Sequence, residues 1–381
     1  MNRMIREIAI RNFKSIKELM MKCSALTLLI GNNSSGKSTI HQALLILAQN
    51  VGKTEGLNGS LVKLGSFEEN RCCYVQDKEM GIAVLDEEND AINQKMVRVP
   101  EANQIKVTTK MKNIGSKEQS DKAPGASQVK STKENERLIR KWNHVFDIKE
   151  RNIQYLSCHR IGPENLYQKN MELEDVIGVN GEYAVSYLNN HGSELVPEKL
   201  RKGASDFTLL GQVNWWLKDI AGVEISLEEI QGADMVKASY RMGGRAKIRP
   251  VNIGSGVSYL LSILIMCLSA PEKGIIVIEN PEIHLHPSAQ SKVCSFLYFT
   301  AESGRQLFIE SHSDHIFNGF CAGMAREEMD KEKISIQFVS LNDEYVTEAM
   351  QVEIGEYGNI RNQKKDLFDQ FDIDMNKMIG L

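Results

Sequence analysis

The sequence predicts an α/β fold with a mixed central sheet and a lobe inserted into its middle. Three observations carry that prediction. The apolar run "ALTLLI" enters "GNNSSGKST", residues 31–39, after which Ile40, Ala43, Leu44 and Leu47 recur at helical spacing, so a buried strand, a Gly-rich loop and a helix with one apolar face follow one another. Far downstream, "GIIVIEN" and "QLFIE" are short apolar runs that read as buried strands, separated by a helix after Pro287. At the start, "MIREIAIRNFKSIKEL" alternates around Ile5, Ile8, Ile10 and Phe13, the pattern of a strand, a turn and a second strand.

The composition fits a folded protein of this class. Of 381 residues, 42% are apolar and 25% charged, which excludes a disordered or fibrous chain. The formal net charge of −4 selects no partner, because a basic patch can coexist with an acidic total. Seven cysteines, with Cys72 and Cys73 adjacent but no CxxC pair, give neither a disulfide framework nor a zinc pattern, and point to a reducing cytoplasm. The longest apolar stretch, "VSYLLSILIMCLSA", is 14 residues and too short to span a bilayer, so it is expected to be a buried helix and no membrane is expected. "MNRMIREIAIRNF" lacks the apolar core of a signal peptide.

Along the chain, residues 1–84 hold the Gly-rich loop. Residues 95–150 carry 13 Lys or Arg against 7 Asp or Glu, and "GSKEQSDKAPGASQVKSTKENER" has almost no large apolar side chain, so 85–150 is expected to be a basic, mobile insertion. Residues 151–245, with the amphipathic "DFTLLGQVNWWLKDIAG", form the middle lobe; 246–345 bring the second half of the sheet, and 346–381 a tail.

Gly31 to Thr39 match G-x-x-x-x-G-K-[ST] in the strand-to-helix context that this phosphate-binding motif requires. Its glycines let backbone amides close around a β-phosphate at a helix N-terminus, so Asn32, Asn33, Ser35, Gly36, Lys37, Ser38 and Thr39 are the candidate nucleotide-binding residues. Lys37 is placed to reach β- and γ-phosphates and the Ser38 hydroxyl to bind Mg²⁺, making ATP and Mg²⁺ the expected cofactors. The acid Glu279 ends the strand "IIVI", where a carboxylate holds Mg²⁺. Gly254, Ser255 and Gly256 open the long apolar helix and make a second anion-binding terminus, and His312 stands at the end of another buried strand, where a histidine can sense a γ-phosphate. His284 and His286 lie on one strand face, but nothing near them in sequence completes a metal site.

The order of "IRNFKSIKEL", "GNNSSGKST", "YLSCHRIGP", "GSGVS", "ENPEIHLHP" and "ESHSDH" resembles the ABC-type P-loop ATPase heads of the SMC and RecF kind. It is most similar to small head-only ATPases related to the OLD-family ATPase domain, such as the ATPase subunits of the Septu and PARIS type found in bacterial anti-phage defence operons. The tail "VEIGEYGNIRNQKKDLFDQFDID" also resembles that group. The resemblance implies that Glu279 is the Walker B acid, that Ser255 and Gly256 act in trans on the nucleotide of a partner copy, that His312 is the switch histidine, and that the chain forms a homodimer or higher homo-oligomer. Arg160, in "CHRIGP", is a candidate for a phosphate or interface contact, with a salt bridge beneath the sheet as the equal alternative.

The chain departs from the ABC pattern at one place. The position after the Walker B acid, ordinarily a catalytic glutamate, is Asn280, followed by Pro281 and Glu282. Asn cannot accept a proton from water, so either Glu282 serves as the base or Asn280 positions the water, and slow turnover is expected. Two functions follow from the resemblance: an ATP-driven switch controlling a partner effector such as a nuclease, or a RecF- or SMC-like ATPase that holds DNA, which the basic 95–150 region would support.

Overall fold

The computed structural model describes residues 4–99, 104–114, 124–171, 175–203, 205–244, 246–355, 357–368, 374–375 and 377–378. Strands β1 (Ile5–Phe13) and β2 (Ile16–Lys22) form the expected hairpin, and β3 (Leu26–Ile30) runs into the Gly-rich loop and helix α1 (Lys37–Gln49). A one-turn helix α2 (Phe67–Asn70) precedes strands β4 (Glu79–Asp86), β5 (Asp90–Val99) and β6 (Gln104–Asn113) and helix α3 (Pro124–Val145). Next come β7 (Ile153–Leu156), the two-residue β8 (Tyr167–Gln168), α4 (Ala184–His191), α5 (Leu209–Ala221), β9 (Glu224–Glu229) and β10 (Met235–Arg241). The last third holds α6 (Gly256–Ser269), β11 (Ile275–Glu279), α7 (Pro287–Glu302), β12 (Gln306–Glu310), α8 (Asp314–Ala325), β13 (Ile334–Leu341) and β14 (Thr347–Gln351).

Three sheets result. The central one has the order β14-β13-β3-β12-β11-β7 and is parallel except for the β13–β14 pair; a five-stranded antiparallel sheet has the order β2-β1-β4-β5-β6; a small one has the order β8-β10-β9. The central strands are buried on both faces, so their side chains divide between two cores, as parallel strands require. Leu28, Ile276, Ile278, Leu307 and Ile309 face the core built with α5, α6 and α7, whereas Leu29, Ile275, Val277 and Phe308 face the core shared with the antiparallel sheet.

Helix α1 lies in that second core, between the two large sheets. The sequence pattern predicts a single apolar face, but Leu45, Ile46 and Ala48 are buried as well as Ile40, Ala43, Leu44 and Leu47, because the antiparallel sheet covers the side that would otherwise meet water.

The segment 85–150 differs from its expected form. The boundary after residue 84 falls inside β4, and β5 and β6 extend the same sheet in continuous antiparallel register from Asp90↔Asn113 to Val99↔Gln104. In β6, Ile105, Val107 and Met111 pack on the core while Lys106, Lys110 and Lys112 project from the other face. Leu138 and Trp142 of α3 are buried in that core. Arg137 and Lys141 pair with Asp90, and Lys141 also with Asp86 and Glu88, so part of the basic excess neutralises acids of the β4–β5 turn. Residues 115–123 of the polar stretch lie outside the described residues, as do residues 356 and 369–373 of the tail.

The middle lobe also begins later than expected. Strand β7 pairs with β11 as the edge of the central sheet, so the inserted layer is α4, α5 and the small sheet.

Candidate functional site

Parallel strands deliver their C-terminal ends to one side of a sheet, and ligands of open α/β sheets gather there. Here Ile30, Glu310 and Glu279 end the adjacent strands β3, β12 and β11, and Glu279 and Glu310 are register partners.

The loop from Gly31 to Gly36 closes over these strand ends and starts α1. Gly36 is the N-cap, with φ 107°, and a Cβ there would sit 2.4 Å from the Thr347 Oγ1, so only glycine fits. Thr347 donates to the Ser35 carbonyl (2.9 Å) and shares a hydrogen bond with the Ser15 hydroxyl (2.7 Å), bracing the loop from β14 and the β1–β2 turn. Lys37 lies over the loop, donating to the carbonyls of Gly31 (2.8 Å) and Asn32 (2.7 Å); burial lowers its ammonium to about 8 against the pull of Glu310 and Glu282. Asn33, Ser35, Gly36, Lys37, Ser38 and Thr39 line a cavity of about 270 Å³ with Ser15, Glu310 and His312. Asn32 enters only through its carbonyl.

The residue that meets the Ser38 hydroxyl is Glu310. Ser38 Oγ donates to Glu310 Oε1 at 2.8 Å, and the carboxylate is 3% exposed. Burial pushes this carboxyl up, but His312, His41, Ser38 and Lys37 outweigh it and hold it below its ordinary range. Glu310 is absent from the sequence-derived set although the same signal marks it: "IIVIE" and "LFIE" are both apolar runs closed by glutamate. Glu279, also buried, accepts from the Tyr155 hydroxyl (2.9 Å) and the Cys158 amide (3.0 Å). Burial and Glu279 raise the Tyr155 phenol and push the Cys158 thiol up to about 11. The acids thus have separate supports, and of the two only Glu310 lines the loop cavity. Ser38 meets Glu310, and Glu310 lies beside Glu279, so hydroxyl and carboxylate oxygens of the kind that Mg²⁺ takes stand beneath the Gly31–Gly36 loop.

Past Glu279 the chain turns sharply. Asn280 adopts φ 47°, which Asn tolerates better than most residues, and its amide donates to the Glu310 carbonyl at 2.8 Å. Arg160 holds this turn: Nη1 donates to the Glu279 carbonyl (2.6 Å) and Nη2 to the Asn280 carbonyl (2.5 Å). The guanidinium is buried, which lowers it to about 10. Among the described residues Arg160 makes no salt bridge and does not line the loop cavity, because the carbonyls of Ser157, Glu279 and Asn280 take its donors. Glu282 reaches back to accept from the His312 amide (2.9 Å), and its Oε2 is buried without a hydrogen-bond partner. His312 Nε2 lies 3.6 Å from Glu310 Oε1. The turn therefore brings Glu282, His312 and Glu310 together, while Asn280 contributes backbone.

Gly254, Ser255 and Gly256 stand elsewhere. They do not line the loop cavity; Gly256 packs so closely that a Cβ would meet the His284 carbonyl at 2.4 Å. Ser255 is the N-cap of α6 and makes no side-chain capping bond, and Gly254 is exposed. His284 stacks on Tyr259, and His286 caps α7 through the Ser288 amide, so these two histidines have structural partners.

Residues 26–318 match the protein family described as "AAA domain, putative AbiEii toxin, Type IV TA system". The chain belongs to this AAA-domain family. No curated protein sequence matches it significantly. Among solved structures, it is similar to an SMC head bound to the C-terminal winged-helix domain of ScpA, with TM-score 0.55, 14% identity, and coverage of 92% of this chain and 98% of that one. SMC heads from Thermotoga maritima (TM-score 0.47, 13% identity, 93% and 100% covered) and Pyrococcus furiosus (0.49, 12%, 99% and 99%) are also similar. The fold of this protein is that of an ABC-type ATPase head, as in the SMC head, and its family makes it an AAA-type ATPase. Among the described residues no helix is long and apolar enough to cross a membrane.

Proposed function

We propose that the chain binds ATP with Mg²⁺ at the Gly31–Thr39 loop, hydrolyses it slowly, and uses the bound nucleotide to hold two copies together as a switch for a partner effector. The observation that carries this reading is the contact of Glu282 with the His312 amide at the rim of the loop cavity, which supplies a carboxylate in place of the residue lost at Asn280. Its unpartnered oxygen is the candidate base for an attacking water. Mg²⁺ would neutralise charge on the β- and γ-phosphates. Lys37 and the loop amides bind phosphate oxygens, Ser38, Glu310 and Glu279 hold the ion, and Arg160 fixes the turn that carries Asn280 and Glu282. The position of Gly254–Gly256 outside this cavity, with Ser255 free of capping duty, supports their use on a nucleotide held by a second copy. The partner reading draws support from the SMC head whose structure holds a winged-helix domain, and the defence role from the motif resemblance to OLD-related ATPases.

Steady-state ATP turnover of the wild type beside Lys37→Ala and Glu282→Gln tests the reading, with nucleotide binding and mass in solution measured for each. Binding lost in Lys37→Ala, binding kept but turnover lost in Glu282→Gln, and an ATP-dependent doubling of mass are the expected results. Turnover unchanged in Glu282→Gln refutes the role of that carboxylate. A DNA-holding role is the second reading, favoured by Lys106, Lys110 and Lys112 on the exposed face of β6; salt-sensitive duplex binding that disappears when all three become alanine would establish it.

A further inference from the structure

His41 stands one helical turn beyond Lys37 on α1, and its side chain is 1% exposed. Neither ring nitrogen has a hydrogen-bond partner. Nδ1 lies 3.9 Å from Glu310 Oε2, an oxygen likewise buried and without a partner. One ligand atom from each of His41, Glu279 and Glu310 falls within 4.8 Å of the others.

Buried imidazoles are ordinarily hydrogen-bonded, since an unmade bond in a low-dielectric interior leaves desolvation uncompensated. A cation between the three side chains resolves every deficit at once: it takes the imidazole lone pair, uses the idle Glu310 oxygen and offsets two adjacent carboxylate charges. The other contacts of the acids suit ligation. Tyr155 and the Cys158 amide orient Glu279, and Ser38 orients Glu310, as outer partners orient metal-bound carboxylates, and each carboxylate oxygen keeps a second lone pair. Glu310 also lines the open cavity, which gives an ion a way in.

We propose that His41, Glu279 and Glu310 form a site for a first-row transition-metal divalent cation beneath the phosphate loop. The nitrogen donor decides the class: imidazole suits Zn²⁺, Fe²⁺ or Co²⁺, whereas Mg²⁺ prefers an all-oxygen shell and retains water. The inference shares Glu279 and Glu310 with the nucleotide reading, in which Mg²⁺ arrives with ATP, and it concerns the nucleotide-free protein, where these side chains are already gathered around His41.

The test is a Co²⁺ titration of chelator-stripped, nucleotide-free full-length protein in a large excess of Mg²⁺, read by visible absorption. Bands that saturate at one ion per chain and vanish on adding Zn²⁺ are expected, as is weakening by about tenfold or more in His41→Gln. Absent bands, displacement by Mg²⁺, or equal binding by His41→Gln overturn the site. Thermal melting with chelator checks that variant's fold. If it does not fold, Glu310→Gln takes its place, and undiminished Co²⁺ binding there also overturns the site. Because the titration contains no nucleotide, its failure is distinct from a failure of ATP binding, which the Lys37→Ala comparison reads.

Discussion

Ser38 donates its hydroxyl to Glu310 at 2.8 Å, joining the start of α1 to a strand 272 residues later in the chain. The hydroxyl expected to meet Mg²⁺ therefore already rests on an acid. Glu310→Ala is expected to weaken Mg²⁺-dependent ATP binding by about tenfold to a hundredfold, or roughly 1.4–2.8 kcal/mol, and to change binding in chelator much less. Calorimetric titration with and without Mg²⁺ measures both; equal losses in the two conditions would make Glu310 a structural support only.

Thr347 is a brace rather than a ligand in this arrangement. Thr347→Val keeps the side-chain shape but strands the Ser35 carbonyl and the Ser15 hydroxyl, a loss of about 1–3 kcal/mol. Denaturant titration should show that loss, and ATP affinity should fall with it as the loop relaxes. Gly36→Ala should be worse, because the new methyl meets Thr347 and the backbone stays at positive φ.

Arg160 acts through the turn it holds. Arg160→Lys keeps a charge but cannot fork to the carbonyls of both Glu279 and Asn280. Turnover is expected to fall about tenfold or more while the ATP dissociation constant moves less than threefold, a split that reports misplacement of the Glu282 turn rather than loss of phosphate contacts. A parallel loss of affinity would show that Arg160 supports the whole site.

Away from the site, Asp90 is fully buried and takes hydrogen bonds from Arg137 (2.7 Å), Lys141 (2.5 Å) and Asn113 (2.7 Å). Burial alone would raise its carboxyl; these partners outweigh it and hold the carboxyl at about 2, below the ordinary 3.8. With the folded value depressed, the unfolded chain takes up the proton first. The contribution is thus complete above about pH 4 and is lost as pH falls from there toward 2. It amounts to at most about 2 kcal/mol, because Arg137 is partly solvated and screened. Stability of Asp90→Asn should be flatter than wild type across that window in denaturant titrations.

Much of this was legible in the residues because period and punctuation agreed. The strand, loop and helix around Lys37, the buried strands ending at Glu279 and Glu310, and the long helix after Gly256 follow from apolar runs and glycines alone. Strand β6 was hidden by its charge: Ile105, Val107 and Met111 alternate as a strand should, but the lysines between them make the composition resemble a solvated insertion. Side-chain roles were harder still. Nothing local announces that Arg160 caps two carbonyls 119 and 120 residues away, or that His41 turns into a cluster of acids rather than simply packing against the sheet.

The brace supplied by Thr347 has a consequence for how the protein is made. Ser35 waits for a partner 312 residues downstream, and Ser38 for one 272 downstream, so a chain still emerging from the ribosome carries the whole Gly31–Thr39 sequence long before it carries a finished cradle. On the proposed reading, a nucleotide that needs both braces is expected to stabilise only a nearly complete chain, and to leave a nascent one without its help.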